Sequence, residues 1–260
     1  MKLNYSTNIY QKNTIWSKLI YAIVLVVLIF SISTNVNLFL QSYRIVNYSN
    51  ILKGYEKLKD EQGIASLTKY NEKFTAWVKV NDLSISLPVV QTTSKEEEDF
   101  YLEHDLERYE NMLGVPYVEH NCNLQQSFNT VIVGHSMFTH TRAGDMLTTK
   151  IFGDFIKYTI PSQYYNYIIN VETLENKLNY KVIGAFKFSV SEEHDDEYYI
   201  YKTKNISNEQ EFNTFITTLQ AVSMIDTDVT ASYGDRFLTL FTCSEENLDY
   251  RVVVVAKLIN

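Results

Sequence analysis

Three side chains in this 260-residue sequence have the types that thiol chemistry requires. Cys243 ends the run Thr239-Leu240-Phe241-Thr242-Cys243, and Arg251, eight positions later, opens the apolar run Val252-Val253-Val254-Val255. His135 ends a second apolar run, Thr130-Val131-Ile132-Val133-Gly134. A cysteine attacks as its thiolate, and an ordinary thiol is only slightly ionised at neutral pH, so it needs a base or a cation beside it. Attack on an acyl carbon also needs a donor aimed at the developing oxyanion. A guanidinium, always charged and forked in shape, suits that position. The three together point to acyl transfer through a cysteine.

Each residue also has a plainer use. Arg251 alone reads as a surface cation pairing with Glu245, Glu246 or Asp249, and a lone strand-end histidine is more often structural than catalytic. Cys122 and Cys243 are the only cysteines, and a disulfide between them is the structural alternative. A domain of this size does not need that staple, and Cys122 sits in the polar stretch His120-Asn121-Cys122-Asn123, which reads as a loop with a tolerated thiol. His140, in the loop after His135, is the second candidate base. His104, His120 and His194 lie in acidic or polar segments and are expected to be solvated.

The elements that must position these groups are mostly short β runs. Strands are expected at 75–80, 85–91, 114–118, 130–135, 164–171, 180–189, 236–242 and 251–259, with Pro88 marking an edge or a bend. Eight strands with short connections suggest a barrel or sandwich, a mainly β fold. If the last two strands are antiparallel neighbours, Cys243 and Arg251 face each other across the hairpin mouth. Two helices are expected among the strands, at 145–158 and 207–222. The second has Ser207 and Gln210 as a capping box and Phe212, Phe215, Ile216 and Leu219 as one apolar stripe.

The N-terminal third is organised differently. No charged residue occurs between Lys18 and Arg44, and Leu19 to Ile32 is almost wholly apolar. With residues 33–40 this makes the roughly 20 residues needed to span a bilayer. Lys2, Lys12 and Lys18 precede it, which favours the N-terminus inside, although Arg44, Lys53, Lys57 and Lys59 follow. A cleaved signal peptide is the rival, but no small-x-small cleavage site follows the apolar core. The expected divisions are 1–18 as a cytoplasmic tail, 19–40 as a transmembrane signal anchor, 41–71 as a helical stalk or N-terminal extension, and 72–260 as an extracellular catalytic domain.

Charge and motif content exclude other classes. The net charge is −8 and no basic stripe occurs, which argues against nucleic acid as a partner. No HExxH or CxxC spacing offers a metal site. The run Glu96-Glu97-Glu98-Asp99 has the composition for calcium, but a solvated loop is the expected use. No cofactor is expected.

The residues that carry the chemistry resemble the sortases. The Thr239-Leu240-Phe241-Thr242-Cys243 run is similar to the sortase TLxTC signature, Val131-Ile132-Val133-Gly134-His135-Ser136 to the segment bearing the sortase histidine, and Arg251 before Val252-Val253-Val254-Val255-Ala256-Lys257-Leu258 to the sortase arginine. The likeness runs from about residue 72 to 260. The helix at 207–222 and the helical N-terminal extension look like class B. Two features differ from that class: the Cys-to-Arg spacing is short, and Glu245 stands where class B members often carry aspartate. In addition, Gly114-Val115-Pro116-Tyr117-Val118-Glu119 replaces a strand that usually reads like GSIFLD.

The resemblance implies an eight-stranded sortase-type β-barrel with added helices, preceded by a transmembrane helix. It implies a cysteine transpeptidase at the surface of a Gram-positive cell, facing the cell wall. Cys243 would be the nucleophile, His135 the general acid and base, and Arg251 the oxyanion or substrate stabiliser. Thr242 and Glu245, on either side of Cys243, become candidate substrate-binding positions. The implied partners are surface proteins bearing a C-terminal sorting signal, a peptidoglycan precursor or cross-bridge amine, and membrane lipid through the N-terminal helix. A membrane-anchored cysteine peptidase that releases the acyl group to water, and a non-catalytic surface β-barrel binding module, are the alternatives.

Overall fold

The computed structural model describes residues 5–80, 83, 85–135, 139–140, 146–147, 152–160, 168–191, 195–243 and 249–260. They divide into two compact units, Met1–Arg44 and Ile45–Asn260. The first is the N-terminal part of helix α1 (Tyr5–Gln62). Within it, Trp16–Arg44 is long and apolar enough to cross a membrane, judged by length and composition.

The second unit is built on a closed barrel. Its strands are β1 (Phe74–Val80), β2 (Ile85–Gln91), β3 (Tyr117–Val118), β4 (Asn129–Val133), β7 (Ile168–Thr173), β8 (Lys177–Ser189), β9 (Phe237–Cys243) and β10 (Tyr250–Leu258), while β5 (Thr139–His140) and β6 (Met146–Leu147) form a separate hairpin. Around the barrel the order is β1-β2-β3-β4-β9-β10-β8-β7, closing on β1. The eight-stranded barrel expected from the sequence is therefore present. Pairing is antiparallel except for β2 with β3 and β4 with β9, which run parallel. Pro88 is tolerated within β2 because β3 pairs only with Val90 and Gln91, leaving the strand edge beside Pro88 without a ladder to donate to.

Alternation along the strands builds two apolar layers. Inside the barrel, Leu238, Leu240, Val252 and Val254 meet Val78, Val89, Ile132 and Val182. Outside it, Phe186, Phe188, Val253, Val255 and Phe237 meet Phe212, Phe215 and Leu219 of α4 (Glu209–Val222) and Ile200 of α3 (Asp195–Lys202). Burying each large apolar side chain contributes about 2 kcal/mol, before the entropy of ordering it. Gly184 of β8 lets α4 lie close, since a Cβ there would stand 2.9 Å from Leu219 Cδ1.

The C-terminal part of α1 belongs to this unit. Tyr48, 1% exposed, donates its hydroxyl to the Gly114 carbonyl (3.0 Å), and Tyr55 donates to Glu107 (2.7 Å). Gly114 has φ +60, and a Cβ would lie 2.5 Å from the Leu102 carbonyl oxygen, so only glycine fits this turn.

Several elements differ from the sequence expectation. Where a helix was expected over 145–158, β6 occupies Met146–Leu147 and a 3₁₀ helix occupies Gly153–Thr159. The apolar residues Phe152, Phe155 and Tyr158 recur every three positions, which suits the three-residue turn of a 3₁₀ helix, and all three are fully buried. The capping box of the later helix sits one residue on from its expected place. Asn208 is the N-cap and accepts from the Glu211 N–H (2.9 Å), while the Glu211 carboxylate accepts from the Ser207 N–H (2.7 Å).

The acidic run expected as a solvated loop is the first half of α2 (Lys95–Leu102). Ser94 caps it, accepting from the Glu97 N–H, and Glu97 reaches back to the Thr93 N–H (2.7 Å). Acidic side chains in a first turn also complement the helix dipole. Glu98 turns inward and takes the backbone N–H of His120 (2.9 Å) and its ring Nδ1 (2.7 Å). His120 nonetheless stays exposed, as expected, whereas His104 is half-buried and stacks on Phe100 with ring centroids 3.7 Å apart. His194 lies outside the described residues.

Candidate active site

Strand register determines which side chains meet. In β9 and β10 the Cα partner of Cys243 is Arg251. Directly opposed residues of an antiparallel pair project to the same face with Cα atoms about 5 Å apart, so Cys243 and Arg251 stand opposite each other across the hairpin mouth as expected. On the other side, β4 runs parallel to β9 with Val133 paired to Phe241, and the Gly134 N–H continues the ladder to the Phe241 carbonyl (3.1 Å). Carrying that register two residues on sets His135 beside Cys243.

Three rows therefore cross the outer face of the sheet. The row at the open end is His135, Cys243 and Arg251, with Phe188 of β8 opposite Arg251. Behind it run Tyr117, Val133, Phe241 and Val253. Behind that are Glu119, whose N–H donates to the Val131 carbonyl (3.1 Å), then Val131, Thr239 and Val255.

The end of β4 is held by a close approach. A Cβ on Gly134 would stand 2.6 Å from Phe152 Cδ2, so the ring packs directly on the glycine. The Phe152 N–H then donates to the His135 carbonyl (3.0 Å). His135 is half-buried, and that burial holds its imidazole below the ordinary histidine pKa, with the Glu103 carboxylate opposing the shift. Cys243 is half-exposed and is a free thiol. Arg251 is half-buried, and its Nη1 donates to the Tyr250 carbonyl (3.1 Å).

Cys122, also free, is 6% exposed. Its sulfur accepts from the Val131 N–H (3.5 Å), and burial pushes the thiol pKa up. The two thiols thus differ in setting: one is enclosed, the other stands half-exposed at a strand end with Arg251 as its cross-strand partner.

The remaining site positions expected from the sequence fall apart from this row. Thr242 is 2% exposed and its Oγ1 has no hydrogen-bond partner among the described residues. It alternates with Cys243 along β9, so its side chain faces the barrel interior and it offers the open face only its backbone. Glu245, with Glu246, lies outside the described residues. His140, the second candidate base, is in β5, paired with Met146 and not with β9. Among the described residues no group of three or more His, Cys, Asp or Glu side chains is arranged to hold a metal ion.

One cluster behind the row was not anticipated from the sequence. The Tyr201 ring stacks on Phe241 with centroids 4.4 Å apart and planes at 27°. Its hydroxyl donates to Glu119, and Lys204 pairs with the same carboxylate at 2.6 Å, both charged side chains being 9% exposed. Lys204 Nζ also lies 4.3 Å from the Tyr201 ring centroid and donates to the Tyr201 carbonyl (2.5 Å). Burial and then the Glu119 carboxylate push the Tyr201 phenol far above its usual range. Tyr117 is raised as well, by burial first and then by Glu98, Glu119, Asp99 and Cys243.

A site of this kind can attack an acyl carbon with a thiolate, hold the resulting oxyanion with a guanidinium, and exchange protons through an imidazole. Comparison with known proteins agrees. No family model matches the chain. Sortase B of Staphylococcus aureus is 26% identical over 197 residues, 75% of this chain and 73% of the relative. Sortase B of Listeria monocytogenes serovar 1/2a is 26% identical over 207 residues, 78% of this chain and 76% of the relative. A Staphylococcus aureus sortase B–substrate complex superposes with a TM-score of 0.66 at 25% identity, covering 84% of this chain and 97% of that one. Over most of its length the chain is similar to class B sortases in both sequence and fold, and that similarity indicates a cysteine transpeptidase.

Proposed function

We propose that this chain is a membrane-anchored transpeptidase of the sortase type that joins surface proteins to the cell wall, with Cys243, His135 and Arg251 as its reacting groups. The observation that carries the assignment is the register placing Arg251 directly opposite Cys243 on β9 and β10, with His135 at the end of the strand on the other side. The Cys243 thiolate attacks the carbonyl carbon of the scissile peptide bond in a C-terminal sorting signal. Arg251 holds the oxyanion. His135, as imidazolium, gives its proton to the leaving amine as the C–N bond breaks, leaving a thioacyl enzyme. An incoming amine from a peptidoglycan precursor or cross-bridge gives its proton to neutral His135, attacks the thioester, and expels the thiolate. Splitting one amide exchange into two steps in this way lowers each barrier.

The same proposal assigns residues 1–18 to the cytoplasm, 19–40 to the bilayer, 41–71 to a helical extension and 72–260 to the catalytic domain outside. Twenty-two helical residues span about 33 Å, enough for the hydrocarbon core. Substrate recognition in this reading comes from the open face around Cys243 and from the segment holding Glu245, with no part for the Thr242 side chain.

The test is a peptide-library cleavage screen of the full-length chain in detergent, read by mass spectrometry with and without an added amine such as triglycine. A ligated product that disappears in Cys243→Ala supports the proposal. Cleavage whose rate and products ignore the amine would instead establish a peptidase.

A further inference from the structure

We propose that Tyr201, Glu119 and Lys204 form a positioning unit that holds Phe241, and through it the end of β9, so that the Cys243 thiol stays beside His135. The inference rests on the assignment of Cys243 and His135 as the reacting pair. The contacts that fix the three residues run to one another and to Phe241, so their effect on the thiol and imidazole passes through Phe241.

The argument starts from where the support is needed. Cys243 is the last residue of β9 and His135 lies two residues beyond the end of β4. Strand ends have backbone ladders on one side only, so their side chains wander unless something clamps the strand just behind them. Phe241 is that point on both strands: it is two residues before Cys243 on the same face, and it is the Cα partner of Val133, two residues before His135. Fixing Phe241 fixes the last turn of the pleat on which both groups stand.

Tyr201 supplies the clamp, since its ring covers Phe241 almost face to face. A stacked ring alone can slide, because stacking is broad in its offset. The hydroxyl prevents this by donating to Glu119, which lies on the same sheet face. Glu119 is in turn fixed by Lys204, which also binds the Tyr201 carbonyl and lies over the ring. Tyr201 is therefore held at its backbone, its face and its hydroxyl. The Asn129 N–H donates to the Lys204 carbonyl (3.0 Å), which ties the unit back to the start of β4. A buried ion pair is poor value as a source of stability, whereas three directional contacts on one ring define a position.

The test measures alkylation of Cys243 by iodoacetamide against pH, by peptide mapping of the full-length chain in detergent, with buried Cys122 as the internal reference. A neutral imidazole in reach takes up the thiol proton and so generates the thiolate; separating the pair therefore moves the midpoint of reactivity upward, and His135→Ala sets the scale of full loss. Tyr201→Leu should move the midpoint most of that distance. It should also lower kcat at least ten-fold on a peptide selected from the library screen, with KM within two-fold. Tyr201→Phe, which keeps the stack and loses the tether, should fall between. Glu119→Gln and Lys204→Met should each lower kcat about ten-fold, and the double variant, which leaves no unpaired charge and retains an acceptor for Tyr201, should recover to within three-fold of the parent. If a single variant does not fold, Tyr201→Phe and the double variant carry the test.

Unchanged alkylation profiles and kcat in folded variants, with only the melting temperature lowered, overturn the proposal in favour of packing. A raised KM with unchanged kcat overturns it in favour of a substrate contact. Activity surviving Cys243→Ala would overturn the site assignment itself. An inactive Cys243→Ala beside fully normal Tyr201 variants would remove the positioning unit alone.

Discussion

Replacing Gly134 with alanine adds one methyl group where the end of β4 packs on Phe152, the residue that precedes the 3₁₀ helix. The new Cβ would stand 2.6, 2.8 and 3.0 Å from Cδ2, Cε2 and Cγ of Phe152. Carbon atoms at their optimum sit about 3.5–4.0 Å apart, so the ring must retreat by about 1 Å. It has little room: Phe152 is fully buried and packs on Phe155 with centroids 4.9 Å apart. Overpacking of this kind costs about 1–3 kcal/mol, and a cost of about 2 kcal/mol lowers Tm by roughly 4–8 °C in a domain of about 200 residues. The second consequence is functional. The Phe152 N–H holds the His135 carbonyl, so moving Phe152 moves the histidine, and about 1 Å of misplacement costs on the order of 100-fold in rate. Calorimetry and peptide-cleavage kinetics on Gly134→Ala, Phe152→Leu and the double variant separate the two effects. The smaller leucine makes room for the methyl group, so the double variant should be more stable than the sum of the singles by about 1 kcal/mol, and should regain part of kcat. A Gly134→Ala protein with the parental Tm and kcat, or a strictly additive double variant, would refute the reasoning.

Arg251→Lys keeps the charge and loses the fork, so kcat should fall at least ten-fold with the Tm within about 2 °C, as read by steady-state kinetics and a thermal melt; a near-parental rate would remove the oxyanion role. A methanethiosulfonate reagent added to the folded chain should label Cys243 at least ten-fold faster than Cys122, whose thiol burial has pushed up; mass mapping to Cys122 first would contradict the site. Burial lowers the His135 pKa in the fold, so between the folded value and the ordinary one near 6.5 the unfolded chain binds more protons. The stability contributed by neutral His135 is therefore complete above about pH 6.5 and declines as pH falls toward the folded value. Urea melts from pH 7.5 to 5 should show this slope reduced in His135→Gln, and an identical slope in the variant would refute the assignment.

How far the sequence disclosed this site depends on the range of each interaction. The proposed reacting residues Cys243, Arg251 and His135 each close or open an apolar β run, and two strand registers set the first two opposite each other and run the strand before the third alongside β9. Period-two alternation also settles Thr242: the neighbour of an outward cysteine must point inward, so its place in the barrel could have been read from the strand pattern alone. The helix expected over 145–158 failed because apolar residues at 152 and 155 satisfy a 3₁₀ stripe as well as an α-helical one. The acidic run 96–99 forms a helix rather than a loop because Ser94 and Glu97 stand at capping-box spacing and the carboxylates lie in the first turn.

The support behind the reacting row is of another order. Tyr201 and Glu119 are 82 positions apart, and nothing near either residue announces the other. The segment Asp195-Asp196-Glu197-Tyr198-Tyr199-Ile200-Tyr201-Lys202 shows only an acidic start and a cluster of tyrosines, and α3 was not anticipated there. Chemistry concentrated at strand ends is written locally, because the nucleophile and its cation must each terminate or begin an element. The clamp that holds those ends in register is assembled from side chains that closing the barrel and laying α3 across it bring together. A close copy of the Cys243, His135 and Arg251 motifs in a chain lacking a stacked and tethered ring over the residue at 241 should therefore have the right groups in a looser geometry, with kcat affected before KM.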